Sequence, residues 1–287
     1  MEVDLLASGA ALVVLAAGLA GYGVRVAISG GARSARVREV GSSPLLGQHA
    51  MEFGYWCLQP VGRACVAAGL SANRITALSL LVGLCGGAAL AVGHLGVGAL
   101  LMSVSALGDL LDGLVALSTR SAGPAGAIFD ASVDRYTEFF LLGGVVFHER
   151  DHAPLLALAL LCILGSFMIS YGSAKAEALG VTVPRGVMRR PERAVYLCGG
   201  LLLTPLAASA VAALHLPTLL SEAPLVGALA LVALVSNLSA ALRLRSVARA
   251  GSRAPLISAL PAARAASASI ETIPAPALRI PRAAVQR

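Results

Sequence analysis

Long runs of apolar residues dominate this chain, and short polar or basic segments separate them. Seven runs are about as long as a bilayer-spanning helix, which needs about 20 residues. They cover approximately 4–24, 75–92, 96–117, 125–147, 153–173, 194–214 and 224–243. Between residues 51 and 74 the pattern changes, because Tyr55, Trp56 and Arg63 interrupt the apolar residues as in a helix at a membrane surface. The pattern predicts seven spanning helices and one interfacial helix.

The composition supports an all-α integral membrane protein. Of the 287 residues, 57% are hydrophobic and only 13% are charged, and the mean hydropathy is +0.81. A typical soluble domain has about 25% charged residues. The first apolar run begins with Glu2 and Asp4 rather than with basic residues, which favours a retained anchor over a cleaved signal peptide.

Basic residues orient the predicted bundle. Nearly all of them fall on one side of the membrane under this count, and the opposite loops hold only Arg150. By the positive-inside rule, the N-terminus faces out, and the connection at 118–124 and the C-terminus face the cytoplasm. We therefore expect a multi-pass protein of the inner (cytoplasmic) membrane.

Three regions follow from the same patterns. Residues 1–50 form an anchor and a basic linker, residues 51–245 form the compact helical domain, and residues 246–287 form an Ala-, Arg-, Pro- and Ser-rich tail that is predicted to be disordered. The net charge of +7 does not indicate nucleic acid, because no basic stripe is interleaved with aromatic residues. Anionic lipid headgroups are the expected partners of that charge.

Four aspartates interrupt two of the apolar runs. Asp109 and Asp112 are three residues apart, and Asp130 and Asp134 are four apart, so each pair lies on one face of its helix. An Asp at the centre of a spanning helix costs roughly 2.5–3.5 kcal/mol, so four in one layer indicate a bound ligand or a water-filled site. Hard divalent cations, Mg²⁺ or Mn²⁺, suit this set of oxygens. Two such metals sharing four carboxylates are typical of phosphoryl chemistry.

Together with their neighbours, the aspartates resemble the signature of the CDP-alcohol phosphotransferase family, DxxDGxxAR followed after eight residues by GxxxDxxxD. Seven of the eight defined positions match, namely Asp109, Asp112, Gly113, Ala116, Gly126, Asp130 and Asp134. The exception is Leu117, which stands where the family has arginine, and Arg120 lies one helical turn later. The resemblance extends over about 70–245 and includes Asn73 and Thr76 of a PNxxT-like opening, in which Ala72 replaces the proline.

This resemblance implies a six-helix bundle, here with an additional N-terminal transmembrane helix. It also implies two bound divalent metal ions, CDP-diacylglycerol as donor, CMP as leaving group and a homodimer. The implied metal ligands are Asp109, Asp112, Asp130 and Asp134, and Asp134 is also the implied general base. The implied contacts of the cytidine diphosphate are Asp112, Gly113, Ala116, Gly126, Asn73 and Thr76, with Arg120 as a further candidate.

The second basic loop, residues 170–193, indicates the acceptor. It resembles the SYxKARAE and GxxERxER pattern of the phosphatidylinositol-phosphate synthase group, but it differs at Ser173, Lys175 and Arg189. Because arginine binds phosphate through a planar fork, these basic residues favour a phosphorylated acceptor. Inositol phosphate is favoured and glycerol phosphate is next, while neutral alcohols stay open. The predicted acceptor-binding residues are Lys175, Arg185, Arg190 and Arg193.

Two other classes of protein stay open at this point. Leu117, Ser173 and Lys175 are the departures expected of a degenerate homologue that binds lipid or nucleotide without turnover. A metal or ion transporter would place polar residues along both halves of the membrane. The acidic residues of this chain gather toward one side, so the transporter ranks third.

Overall fold

The computed structural model describes residues 2–29, 45–183 and 186–252. The regular elements in these ranges are all helical. They are α1 (Glu2–Ser29), α2 (Gly47–Ala67), α3 (Ala72–Ala91), α4 (Leu95–Ser118), α5 (Pro124–His148), α6 (Ala153–Ala178), α7 (Arg190–Ala213), a short 3-10 helix (Thr218–Ser221) and α8 (Ala223–Gly251). Most of the predicted linker, most of the predicted tail and Arg185 lie outside the described residues. Residues 246–251, which the sequence pattern assigns to the tail, instead continue α8.

Each of the seven apolar runs forms one helix, as the pattern predicts, and α2 forms separately from them. Within the described residues, six helices are long and apolar enough to cross a membrane, namely α1, α3, α4, α6, α7 and α8. Helix α5 has 25 residues, which gives a length of about 38 Å, and this also suffices for a bilayer. Its composition is less apolar because Asp130, Asp134, Arg135 and Glu138 lie along it.

Helices α3 to α8 form the bundle. Helix α3 packs against both α4 and α5, α6 packs against α8, and α7 lies between α4 and α8. Leu90, Leu142, Leu201 and Leu229 are fully buried in the core. The outer surface is apolar as well and carries many exposed leucines, valines and phenylalanines. An apolar core beneath an apolar exterior is expected of a bundle surrounded by lipid.

Glycines let α3 and α5 approach each other closely. A Cβ atom added at Gly87 of α3 would lie 2.5 Å from the carbonyl oxygen of Phe140 in α5, and one added at Gly144 would lie 2.5 Å from the carbonyl oxygen of Gly87. Small residues at such crossings allow backbone contact between membrane helices. This crossing sets the position of α5 beside α3, and therefore the position of the aspartates on α5.

We expect Gly87→Ala to lower the stability of the protein by about 1–3 kcal/mol, because the added methyl group must push α5 away. Thermal unfolding in detergent measures this effect. Gly227→Ala on α8 is the matched control, since a Cβ there meets nothing within 4 Å and alanine favours the helix by up to about 1 kcal/mol. Equal melting temperatures for the two variants would show that the crossing is not tight.

Helix α1 is attached to the bundle through its acidic start. Asp4 is buried, and its carboxylate accepts hydrogen bonds from the backbone N–H groups of Gly96 and Val97, at 3.1 and 3.3 Å, in the first turn of α4. The ring of His94 lies 3.2 Å from the same carboxylate. The first N–H groups of a helix have no partner within that helix, so α1 supplies the cap that α4 lacks.

Candidate metal and nucleotide site

Helices α4 and α5 bring the four aspartates together. Carboxylate oxygens of Asp109, Asp112 and Asp130 all lie within 4.8 Å of one another. Asp134 lines the same cavity, which has a volume of about 180 Å³. The four carboxylates therefore face one small space at one end of the bundle.

The order of the helices explains this convergence. Asp109 and Asp112 lie in the last turns of α4, while Asp130 and Asp134 lie in the first turns of α5, which begins with Pro124. Proline suits the first turn of a helix, since its missing N–H would have no partner there. The short connection between the helices keeps both aspartate pairs at the same end of the bundle.

Arginine and threonine side chains already contact the carboxylates, and one of them is Arg135, whose Nη1 lies 3.5 Å from Oδ2 of Asp134. The guanidinium nitrogen Nη1 of Arg190, at the start of α7, pairs with Asp109 and lies 2.6 Å from Oδ1 of Asp134. The hydroxyl group of Thr76 in α3 donates a hydrogen bond of 2.5 Å to Oδ2 of Asp112. Four helices, α3, α4, α5 and α7, thus contribute side chains to one cluster.

The cluster fits divalent metal ions. Its four carboxylates supply only oxygen ligands, which Mg²⁺ and Mn²⁺ prefer. A cationic nitrogen of Arg190 already lies between Asp109 and Asp134, and Oδ1 of Asp130 is buried without a hydrogen-bond partner among the described residues. Buried polar atoms normally have a partner, so this oxygen is available to a cation.

Most of the predicted nucleotide contacts surround the same end of the bundle. Gly113 lines the cavity, and a Cβ atom added there would meet nothing within 4 Å. Gly126 faces Asn73, whose Oδ1 would lie 3.7 Å from a Cβ at Gly126. Ala116 is half-buried, one turn after Asp112. These small side chains leave room for a ligand beside the helix backbones.

Arg120 is not among the residues that the structure brings to the aspartates. It is exposed beyond the end of α4, in a turn where its φ is 53°. Its side chain makes no hydrogen bond or ion pair with the described residues. Leu117, at the position of the motif arginine, is 47% exposed. Neither residue replaces the guanidinium group of the family motif in this structure, whereas Arg190 does place one at the cluster.

The predicted acceptor-binding residues separate into different environments. Arg190 is at the aspartates, Lys175 is exposed in the last turn of α6, and Arg185 lies outside the described residues. Arg193 is buried, and its Nε and Nη2 atoms donate to the two carboxylate oxygens of Glu138 at 2.6 and 3.1 Å. The guanidinium group of Arg193 is therefore already paired with a carboxylate from α5.

Sequence reasoning missed Tyr55 as a residue of the site. It interpreted this tyrosine as a marker of an interfacial helix, whereas the structure places its side chain on the wall of the cavity. The spacing of Tyr55, Leu58 and Gly62 on one face of α2 was a signal that could have indicated packing against another helix.

The fold and the site define the class of the protein as a multi-pass α-helical membrane protein with an acidic cation site at one end of its bundle. The sequence model of CDP-alcohol phosphatidyltransferases matches residues 69–244, and the chain belongs to this family of transferases. The resemblance of its aspartate motif to this family is thereby confirmed. The match begins after α2, so α1 and α2 lie outside it.

Similar proteins include phosphatidylinositol phosphate synthases. The one from Corynebacterium glutamicum is 34% identical over 167 residues, which cover 56% of this chain and 75% of the relative. Among solved structures, the Mycobacterium tuberculosis enzyme with CDP-DAG bound aligns with a TM-score of 0.57 at 26% identity, over 66% of this chain and 92% of that one. The same enzyme in complex with manganese and citrate aligns with a TM-score of 0.58 at 27% identity, over 66% and 88%.

Proposed function

We propose that this chain transfers the phosphatidyl group of CDP-diacylglycerol to the hydroxyl group of a small polar acceptor and releases CMP. The favoured acceptor is inositol phosphate, and glycerol phosphate is next. The observation that carries this proposal is the cavity of four carboxylates from α4 and α5 with Arg190 at its edge. The relatives support it, because they are named for phosphatidylinositol phosphate synthesis and one is solved with CDP-DAG.

Asp109, Asp112, Asp130 and Asp134 would hold two divalent metal ions. Mg²⁺ or Mn²⁺ bound there would neutralise the diphosphate and stabilise the charge on the departing CMP. The manganese complex of the related enzyme supports this choice of metal. The Thr76 hydroxyl orients Asp112 through their hydrogen bond, and the open space beside Gly113 admits the diphosphate close to α4.

Asp134 would act as the general base of the transfer. It accepts the proton of the acceptor hydroxyl while the new oxygen–phosphorus bond forms and the bond to the CMP oxygen breaks. Arg190 touches Asp134 directly, so its guanidinium group keeps the carboxylate oriented. Asp134 also lines the cavity, which supports its assignment as the base.

The acceptor would bind beside α7. Arg190 lies beside the carboxylates, and arginine suits bidentate contact with phosphate. Lys175 and Arg185 belong to the same basic segment and stay candidates for that phosphate. Arg193 would act indirectly, since its fork holds Glu138. A phosphorylated acceptor is supported by this concentration of positive charge next to the carboxylates.

The proposed location is the inner membrane, with the site facing the cytoplasm. The connection between α4 and α5 and the basic segment before α7 are the ends that the positive-inside rule assigns to the cytoplasm. Residues 51–245 would form the catalytic domain, residues 1–50 the anchor and linker, and residues 246–287, of which 246–251 continue α8, a peripheral tail. Assembly as a homodimer, which the family resemblance implies, is part of the same proposal.

The test is CMP release by the purified, detergent-solubilised chain with CDP-diacylglycerol and Mg²⁺ or Mn²⁺. The acceptors are inositol phosphate, glycerol phosphate, inositol and serine, each tested with and without metal. We expect metal-dependent CMP release that is fastest with inositol phosphate. If CDP-diacylglycerol binds but no acceptor yields CMP, the chain is the degenerate homologue and the proposed transfer is wrong.

A further inference from the structure

Among the described residues, the side chains that line the carboxylate cavity include one neutral hydrogen-bond donor. The side chains that line it are Tyr55, Asp109, Leu110, Asp112, Gly113, Leu114, Asp130 and Asp134. While the aspartates are ionised they only accept hydrogen bonds, and leucine and glycine side chains offer no polar atom. The phenol group of Tyr55 is therefore the hydrogen-bond donor among these side chains, and it makes no hydrogen bond with the other described residues.

Packing against α4 fixes the face of α2 that carries Tyr55. Leu58 and Gly62 follow Tyr55 by three and seven residues, so all three lie on one side of the helix. Leu58 is buried, and a Cβ atom at Gly62 would lie 3.6 and 3.8 Å from the side chains of Leu111 and Leu114 in α4. Asp109 and Asp112 are on this same helix, so α2 is held directly beside the metal ligands.

Helix α1 holds another face of α2. Glu52, which is 7% exposed, accepts a hydrogen bond of 3.1 Å from the hydroxyl of Tyr22 in α1. The Tyr22 ring lies 5.8 Å from the rings of Phe53 and Trp56, and the guanidinium group of Arg25 lies 5.9 Å from the Trp56 ring. Aromatic and cation–π contacts of this kind add to the burial of the rings. The α1–α2 contact thus orients the helix that carries Tyr55.

The chemistry of this wall suits an anionic ligand with an apolar extension. A phenol group is an uncharged hydrogen-bond donor, so it does not compete with cations for the carboxylates. Leu110 and Leu114 of α4 also line the cavity and provide apolar surface within it. A phosphate group attached to a lipid offers both complementary parts.

We propose that the Tyr55 hydroxyl donates a hydrogen bond to a phosphate oxygen of the diphosphate of CDP-diacylglycerol. In this way α1 and α2, which precede the family match, orient the lipid substrate. This inference rests on the proposed use of CDP-diacylglycerol. Tyr55 is a positioning residue for that substrate, and it leaves the acceptor and the metal ligands untouched.

The test compares Tyr55→Phe, which removes only the hydroxyl, with Tyr55→Ala in the full chain in detergent. We expect Tyr55→Phe to lower kcat/KM for CDP-diacylglycerol and its equilibrium affinity by about tenfold, which is the scale of a hydrogen bond to a charged group. Mn²⁺ affinity and the KM of the acceptor should stay unchanged. Tyr136→Phe is the matched control, because Tyr136 is 60% exposed on α5. This variant should behave like the parent chain.

The proposal is overturned if Tyr55→Phe has the same kcat/KM and affinity for CDP-diacylglycerol as the parent chain. A defect seen only in Tyr55→Ala would show that the ring contributes packing and the hydroxyl contributes nothing. Tyr22→Phe is a second test of the proposal. Loss of the hydrogen bond to Glu52 should loosen α2 and weaken the binding of CDP-diacylglycerol without changing Mn²⁺ affinity. Binding and turnover are measured separately. A parent chain that binds the donor but releases no CMP refutes the proposed function, while the binding comparison still decides the role of Tyr55.

Discussion

Replacement of Asp134 by asparagine is expected to abolish phosphatidyl transfer while leaving a folded, membrane-inserted protein. Asparagine has nearly the same shape, but its amide neither takes the proton of the acceptor hydroxyl nor supplies a full negative charge to a metal. Loss of a general base alone lowers rates by about 10²–10⁴-fold, and loss of a ligand adds to this. Arg190 keeps its contact with Asp109 in the variant, so the fold should survive. The measurement is the rate of CMP release at saturating Mn²⁺.

Two further variants make this result specific. Asp151→Asn is the matched control, because Asp151 is 80% exposed at the opposite end of the bundle and pairs with Arg150, so its turnover should equal that of the parent. Asp109→Asn should weaken Mn²⁺ binding as well as transfer, since Asp109 is one of the three clustered carboxylates. Near-normal CMP release by Asp134→Asn would remove Asp134 as the base.

Much of the fold could be predicted because lipid restricts the choices of the backbone. Each apolar run of sufficient length must satisfy its N–H and C=O groups internally, so it forms a helix. Helix α5 was the difficult case, since Asp130, Asp134 and Glu138 make it less apolar than the other long helices. Its length and the spacing of its aspartates, which place both on one face, still indicated a spanning helix with a polar face toward the bundle.

The different roles of the two arginines at the start of α7 could not be predicted from the sequence in the same way. In the sequence, Arg190 and Arg193 look equivalent, as two arginines of one motif. In the structure α7 begins at Arg190, so one arginine reaches the aspartates from the helix end while the other is one turn further into the bundle. The partner of Arg193 is Glu138, 55 residues away in the chain, and no local pattern specifies that contact.

The position of Tyr55 at the cavity could not be predicted from the sequence either. A tyrosine next to a tryptophan in an amphipathic segment is typical of the membrane interface, and that interpretation accounts for the composition of α2. Its place at the cavity depends on how α2 packs against α4 and α1, through Gly62 and through the Tyr22–Glu52 hydrogen bond. These contacts join helices that are distant in sequence, so the aspartate motif could be found without the structure, and the contribution of α2 to the cavity could not.

The largest expected effect on stability is at the pair of Glu138 and Arg193. Their side chains are 8% and 3% exposed, and two hydrogen bonds of 2.6 and 3.1 Å join them. Glu138→Ala leaves a buried guanidinium group without its carboxylate partner, and breaking a buried pair in this way costs about 3–5 kcal/mol. We expect a correspondingly large fall in the unfolding midpoint in detergent. The fall should occur with and without Mn²⁺, because neither residue is among the four aspartates.

The double variant Glu138→Leu/Arg193→Met distinguishes the pair from a mere loss of packing. Replacing both charges by apolar side chains of similar size is often neutral for stability, so the double variant should melt well above Glu138→Ala. Glu177→Ala, at an exposed position near the end of α6, controls for the loss of a carboxylate and should change the midpoint little. Because Glu138 is four residues from Asp134 and Arg193 is three from Arg190, the pair also fixes the register of α7 against α5. A double variant as unstable as Glu138→Ala would show that the two charges are not coupled.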